Sequence, residues 1–363
     1  MEPIVYLLLF AGFVLLIAGA ELLVRGAARL AVLAGISPLV IGLTVVSLGT
    51  SAPELAVSIK ASFTGTSDLA IGNIVGSNIF NVLFTLGIAA AIVPLTVAPQ
   101  LLRFDIWLMI GVTIMVYLMS LDGLVSTLDG TILAAGIVAY TGWTLYLSKR
   151  EQAADTAEYD AEFSLEPGGQ GAKAWFKNLA YIVIGSVGLW LGSEWLVMGA
   201  IRMADSFGVS EMLIGLTIVA IGTSLPEIAA SVVASIRGQR DIAVGNIVGS
   251  NIFNLLLVLG VTALLTPGGI PVPDESLAFT MPIMVAVAVV CLPIFFTGFQ
   301  ISRWEGLLFL AYYFLYTTYL IMQATDFDYA RQFRTAMLFF VIPLTVLTMT
   351  VIYAQGTAKR RKV

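Results

Sequence analysis

Long apolar runs separated by short polar joints dominate the chain. Ile4–Ala20 and Thr335–Ala354 carry no charged residue, and about twenty apolar residues suffice for a helix to cross a bilayer. The pattern predicts five spans in each half, at roughly 4–33, 37–64, 69–95, 104–121 and 128–148, then 176–207, 210–237, 242–266, 278–297 and 303–323. An eleventh span, about 335–354, has no counterpart in the first half. The opening run imitates a signal peptide with a small-residue cut site. Its counterpart lies mid-chain, so it is predicted to be a retained helix.

The halves are copies. Residues 41–81 and 214–254 align without a gap at an offset of 173, with 27 of 41 positions identical. Glu21 matches Glu194 and Pro94 matches Pro267 in the same register. The chain therefore divides into a first repeat at 1–148, an acidic linker at 149–175, a second repeat at 176–323, and a segment at 324–363 with the extra span and a basic tail. An odd number of spans per repeat places the copies in opposite orientations, as in many secondary transporters. With the N-terminus outside, fourteen Lys and Arg fall at cytoplasmic ends and four (Lys60, Arg202, Arg331, Arg334) at external ones, which fits the positive-inside bias. The expected fold is an all-α polytopic membrane protein of two inverted five-helix repeats plus one C-terminal helix. It is expected in the cell (inner or plasma) membrane, N-terminus outside and C-terminus cytoplasmic.

Composition narrows the chemistry. Of 363 residues, 59% are hydrophobic and 11% charged, against about 25% charged in soluble domains. With a mean hydropathy of +0.96, this excludes a soluble enzyme, a nucleic-acid binder and a disordered module. Cys291 is the single cysteine and there is no histidine, so any metal handled here must be held by oxygen, as hard cations are. The net charge of −5 says little about partners, because Glu151, Asp155, Glu158, Asp160, Glu162 and Glu166 sit together in one loop.

Each repeat interrupts an apolar helix with Gly-Thr-Ser-x-Pro-Glu, at Gly49–Glu54 and Gly222–Glu227. Proline removes an N–H and clashes with the carbonyl four residues back, so carbonyls near Gly49 and Gly222 need a partner, and a cation is a suitable one. Thr50 shares a face with Glu54, and Thr223 with Glu227. A carboxylate deep in a membrane helix marks a pathway. The following helix carries a polar stripe, Asn73, Ser77 and Asn81, copied as Asn246, Ser250 and Asn254. Beside a buried glutamate, Ser77, Ser250, Asn81 and Asn254 read as cation ligands, whereas Gly72 and Gly76 read as a close helix approach. Asp68 and Asp241 are expected to cap their helices. For Glu21, guidance of ions and an ion pair with Arg25 are both open. The acidic stretch 151–166 lacks EF-hand spacing and is expected to be a solvated linker.

At these motifs the chain resembles the cation/calcium antiporter superfamily, specifically the microbial sodium/calcium exchangers, over nearly all of spans one to ten. The resemblance implies a Ca²⁺ site at Glu54 and Glu227 with backbone oxygens of Thr50 and Thr223. It implies Na⁺ sites that add Ser51, Ser77, Ser224, Ser250 and the backbone at Ser47 and Ala220, with Asn81 and Asn254 completing the ring. Some relatives, potassium-dependent exchangers among them, have Asp at the position of Asn254. The implied function is Na⁺/Ca²⁺ antiport, not enzymatic, with no cofactor, no nucleic acid and no obligatory protein partner. Lipid and the transported ions, other divalent cations included, are then its partners. H⁺/Ca²⁺ antiport through the same glutamates is the alternative. An intramembrane protease lacks its aspartate pair, because every aspartate falls at a span end or in a loop.

Overall fold

In the computed structural model, which describes residues 3–162, 172–207, 220–296, 298–325, 327 and 329–336, the chain is almost wholly helical. The first half gives α1 (Pro3–Ala34), α2 (Pro38–Thr50), α3 (Ala52–Phe63), α4 (Ser67–Ile92), α5 (Leu101–Asp122) and α6 (Thr127–Glu162). The second gives α7 (Ala172–Ser206), α8 (Ala220–Gly222), α9 (Leu225–Ile236), α10 (Arg240–Leu265), α11 (Ser276–Phe296), α12 (Arg303–Ala324) and α13 (Ala330–Ala336). Among the described residues eight helices are long and apolar enough to cross a membrane, and α2 with α3 makes a ninth span bent by 43°. The expected span at 210–237 is represented by α8 and α9, since residues 208–219 lie outside the described residues. So does nearly all of the expected eleventh span.

Burial identifies the centre. The spans of α4 and α10 are 78% and 83% buried, whereas those of the other six single-helix spans are between 11% and 44%. These two helices carry the polar stripes, so the stripes lie on the innermost spans. Around them the halves interlock. Helix α6 of the first half packs on α10 of the second, and α12 of the second packs on α4 of the first. Glycines allow both approaches: a Cβ at Gly130 would lie 2.7 Å from Leu264 N, and one at Gly306 would lie 2.7 Å from Ala91 N. Four two-residue strands, β1 (Leu95–Thr96), β2 (Leu124–Val125), β3 (Ile270–Pro271) and β4 (Gln300–Ile301), pair crosswise in the same sense. Leu95 lies opposite Ile301, and Leu124 opposite Pro271. These strands are absent from the all-helical expectation, being too short to leave a pattern.

Helices α1 and α7, equivalent in the two repeats, pack antiparallel on each other through small residues. A Cβ at Gly12 would lie 2.7 Å from Leu196 N, and one at Gly19 would lie 2.6 Å from Leu189 N. At one end Glu21 binds Arg25 at 2.8 Å and Arg237, just past α9, at 2.9 Å. The ion-pair role of Glu21 is thus the one the structure bears out. The equivalents of Arg25 and Arg237 around Glu194 are Met198 and Thr64.

Two local expectations are corrected. Asp68 and Asp241 are not caps: Thr66 and Gln239 hold the N-cap positions, and the aspartates lie in the first turn, where a carboxylate meets the positive end of the helix dipole. The acidic stretch is not a loop over most of its length, because α6 runs on to Glu162. Ala, Glu and Gln are strong helix formers, and no Pro or Gly interrupts them before Pro167.

Gly19→Val should insert a branched side chain where α1 and α7 backbones meet, a change of about 1–3 kcal/mol. The expected result is a lower melting temperature in detergent, while Gly142→Val, which meets nothing within 4 Å, leaves it unchanged.

Candidate cation site

The two Gly-Thr-Ser-x-Pro-Glu motifs break their helices as the proline requires. Helix α2 stops at Thr50, Ser51 leaves helical geometry at φ −81°, ψ 3°, and α3 restarts with Pro53 and Glu54 in its first turn. The copy does the same, with Ser224 at φ −91°, ψ 4° and Pro226 and Glu227 opening α9. The freed carbonyl of Gly222 accepts the Ser193 hydroxyl, so that orphan is satisfied within the protein and not left for an ion. Each glutamate sits at a helix N-terminus, where the dipole favours negative charge.

The breaks meet each other across the repeats. Ser51 Oγ lies 3.5 Å from Glu227 Oε1, and Ser224 Oγ lies 3.5 Å from Glu54 Oε1. Both distances are at the limit of hydrogen bonding, so these hydroxyls are only loosely engaged. Thr50 Oγ1 stands 3.3 Å from Ser250 Oγ, and Ser224 Oγ stands 3.2 Å from Ser77 Oγ. Glu54, Glu227, Ser51, Ser77, Ser224, Ser250, Asn81 and Asn254 are all buried. These contacts bring residues of both repeats together.

Unsatisfied oxygens indicate what the cluster is built to hold. Glu54 Oε2, Glu227 Oε2 and both amide atoms of Asn81 and Asn254 have no hydrogen-bond partner among the described residues. Leaving so many buried polar atoms unpaired costs about 1–3 kcal/mol each, and more for charged groups, unless something else binds them. Both asparagines begin π-helical stretches, Asn81–Leu86 and Asn254–Leu259. Such bulges widen the helix and recur at functional sites. Among the described residues no three His, Cys, Asp or Glu side chains gather, so a soft-metal centre does not fit. An all-oxygen cage with two carboxylates suits Ca²⁺ or Na⁺.

A supporting layer was not among the expected ligands. Asn73 Nδ2 donates to Ser58 Oγ at 3.0 Å and to Glu54 O at 3.3 Å, while its Oδ1 accepts from Thr223 Oγ1 at 3.1 Å. Asn246 repeats this with Ser231 Oγ at 3.0 Å and Thr50 Oγ1 at 3.2 Å. Each amide ties the helix after one break to the threonine of the other. The Thr50 and Thr223 hydroxyls are thereby occupied. The signal was present in the sequence, since Ser58 and Ser231 repeat one turn after the glutamates. Of the four expected backbone ligands, Thr50 and Thr223 lie at the two breaks, Ser47 O accepts Ser51 N at 2.9 Å with Ser47 Oγ donating to Asn246 O at 3.0 Å, and Ala220 opens α8. Gly245 and Gly249 approach α2 closely. The equivalent partners of Gly72 and Gly76, around residues 212 and 216, lie outside the described residues.

Comparison with known proteins gives the family. The model of the sodium/calcium exchanger protein family matches residues 4–147 and 177–322. The chain belongs to that family. Its members are membrane antiporters. The sodium/calcium exchanger MaX1 of Methanosarcina acetivorans is 31% identical over 300 residues, 74% of this chain and 85% of that protein. A putative antiporter, CaxA, of Alkalimonas amylolytica is 41% identical over 226 residues, covering 62% and 69% of the two chains. The solved structure of the sodium-calcium exchanger NCX_Mj, soaked without Na⁺ and Ca²⁺, superposes with a TM-score of 0.74 at 30% identity, covering 88% of this chain and all of that one.

The Asn clamps carry a prediction. Removing the partner of a ligand-bearing segment typically weakens metal binding about 10–100-fold. Asn73→Ala and Asn246→Ala should each raise the Ca²⁺ concentration for half-saturation by about tenfold or more, read by ⁴⁵Ca²⁺ binding to the purified protein.

Proposed function

We propose that this chain exchanges Na⁺ for Ca²⁺ across a cell membrane by alternating access, at a single central site shared by two inverted repeats. The observation that carries the reading is the pair of buried glutamates, each touching the serine of the opposite break and each with one oxygen unpartnered among the described residues. In this reading Glu54 and Glu227 ligate Ca²⁺ with the backbone oxygens of Thr50 and Thr223. Ser51, Ser77, Ser224, Ser250 and the backbone at Ser47 and Ala220 add Na⁺ positions, and Asn81 and Asn254 complete the ring. The antiparallel packing of α1 on α7 supports opposite orientations of the repeats. Glu21 joins Arg25 to Arg237, two arginines that the positive-inside bias assigns to the same cytoplasmic face, with the N-terminus outside.

Coupling follows from charge. Two carboxylates close together in a medium of low dielectric repel strongly, and among the described residues no basic side chain pairs with either. With both carboxylates ionised the empty site carries two negative charges, which cannot pass through a dehydrated, closed state. One Ca²⁺ or at least two Na⁺ cancel them. Only the loaded carrier then moves, and a conditional movement makes exchange obligatory.

Glu54→Gln and Glu227→Gln should each abolish Ca²⁺ transport in folded protein, because the amide keeps the shape and removes one of two neutralising charges. The test is ⁴⁵Ca²⁺ uptake into proteoliposomes under imposed Na⁺, K⁺ or H⁺ gradients. Uptake driven by Na⁺ alone is expected, and uptake driven only by a proton gradient would replace this reading with H⁺/Ca²⁺ exchange. Asn254→Asp adds a third carboxylate, and the flux should become sensitive to K⁺ or more sensitive to pH. Superimposable profiles of mutant and parent from about pH 6 to about pH 9 would remove Asn254 from the ring.

A further inference from the structure

Two buried threonines beside the site have no part in ion ligation as described. Thr85 and Thr262 are fully buried, and neither hydroxyl has a hydrogen-bond partner among the described residues. A threonine in an apolar helix ordinarily bonds back to the carbonyl four residues before it, as Thr44, Thr113 and Thr266 do here. The two are not copies of one another: by the 173-residue offset Thr85 matches Val258 and Thr262 matches Ala89. Each repeat carries its own.

Both lie on the central helices beyond the ring asparagines, Thr85 within the π-helical stretch that starts at Asn81 and Thr262 about two turns past Asn254. Helix α3 packs along α10 from Asn254 onward, and α9 packs along α4 from Asn81 onward. Helix α3 carries Glu54, Ser58 and Ser62 at four-residue intervals, and α9 carries Glu227, Ser231 and Ser235, all buried; Ser58 meets Asn73 of α4 and Ser231 meets Asn246 of α10. The far end of the first seam is closed by the hydroxyls of Ser62 and Thr266. The second has Val93 in place of Thr266. A dehydrated cation needs oxygens along its path, and Thr262 on the first seam and Thr85 on the second each place an unpartnered hydroxyl beyond the ring asparagine of that seam.

We propose that these two seams are the routes by which ions reach the central site, α3–α10 from the outer face and α9–α4 from the cytoplasmic face. Thr262 and Thr85 are the hydroxyls that stand in for water along them. The inference rests on the exchange reading and on its topology. The test uses a Cys291→Ala background, which removes the single cysteine. Thr262→Cys and Thr85→Cys are placed in right-side-out and inside-out membrane vesicles and treated with a membrane-impermeant thiol reagent, with modification read by mass. Thr262→Cys should be modified only from the outer face and Thr85→Cys only from the cytoplasmic face. If the parent exchanges Ca²⁺ but either cysteine is unmodified from its assigned face, or is modified from the other, the routes are wrong. A parent that exchanges no Ca²⁺ would instead overturn the exchange reading, and that outcome is separate. Should a cysteine variant fail to fold, Thr262→Val and Thr85→Val keep the side-chain shape. Each should slow Ca²⁺ exchange about tenfold and leave equilibrium Ca²⁺ binding unchanged, a split that a merely structural hydroxyl would not give. Parental exchange rates in both valine variants would overturn the proposal.

Discussion

Glu54 and Glu227 are both buried in the protein interior, each facing a serine of the opposite break, and neither forms an ion pair among the described residues. Burying two like charges without a counter-charge is among the most costly arrangements a protein can adopt. Much of the surrounding structure answers that cost. Helix N-termini face the carboxylates, serines of the opposite repeat stand at the edge of hydrogen-bonding distance, and the asparagine amides remain open at the start of π-helical stretches. On the exchange reading, the remaining cost is met only by a cation, and this ties movement of the carrier to its load.

The interlocked architecture makes that constraint shared. Each half contributes one glutamate, and each half's last helix braces the other's central one. Asn73 and Asn246 go further, linking the helix after one break to the threonine of the other. Neither repeat can shift its break without disturbing the hydrogen bonds of the other. A site assembled this way is suited to having two arrangements in which the repeats exchange roles.

Much of this was legible in the sequence, and the limits have physical causes. The 27 identities at constant offset identified the repeat, and Pro53 and Pro226 located the breaks. A carboxylate after each break then pointed to the candidate site. What escaped was geometry that leaves no periodic signal. The π-helical stretches at Asn81 and Asn254 have the composition of ordinary helix, and strands of two residues carry no alternation. The freed Gly222 carbonyl finds Ser193, which is 29 residues away in sequence, so only the packing of α7 reveals it. The acidic stretch past residue 148 was misjudged because charge was weighed above helix propensity.

Anomalous scattering from a Ca²⁺-soaked crystal tests the central claim most directly. The account predicts one strong peak between Glu54 and Glu227, with carboxylate and threonine backbone oxygens of both repeats at about 2.3–2.6 Å. It predicts loss of that peak in Glu54→Gln. A Ca²⁺ peak elsewhere, with the two glutamates left without a cation, would contradict it.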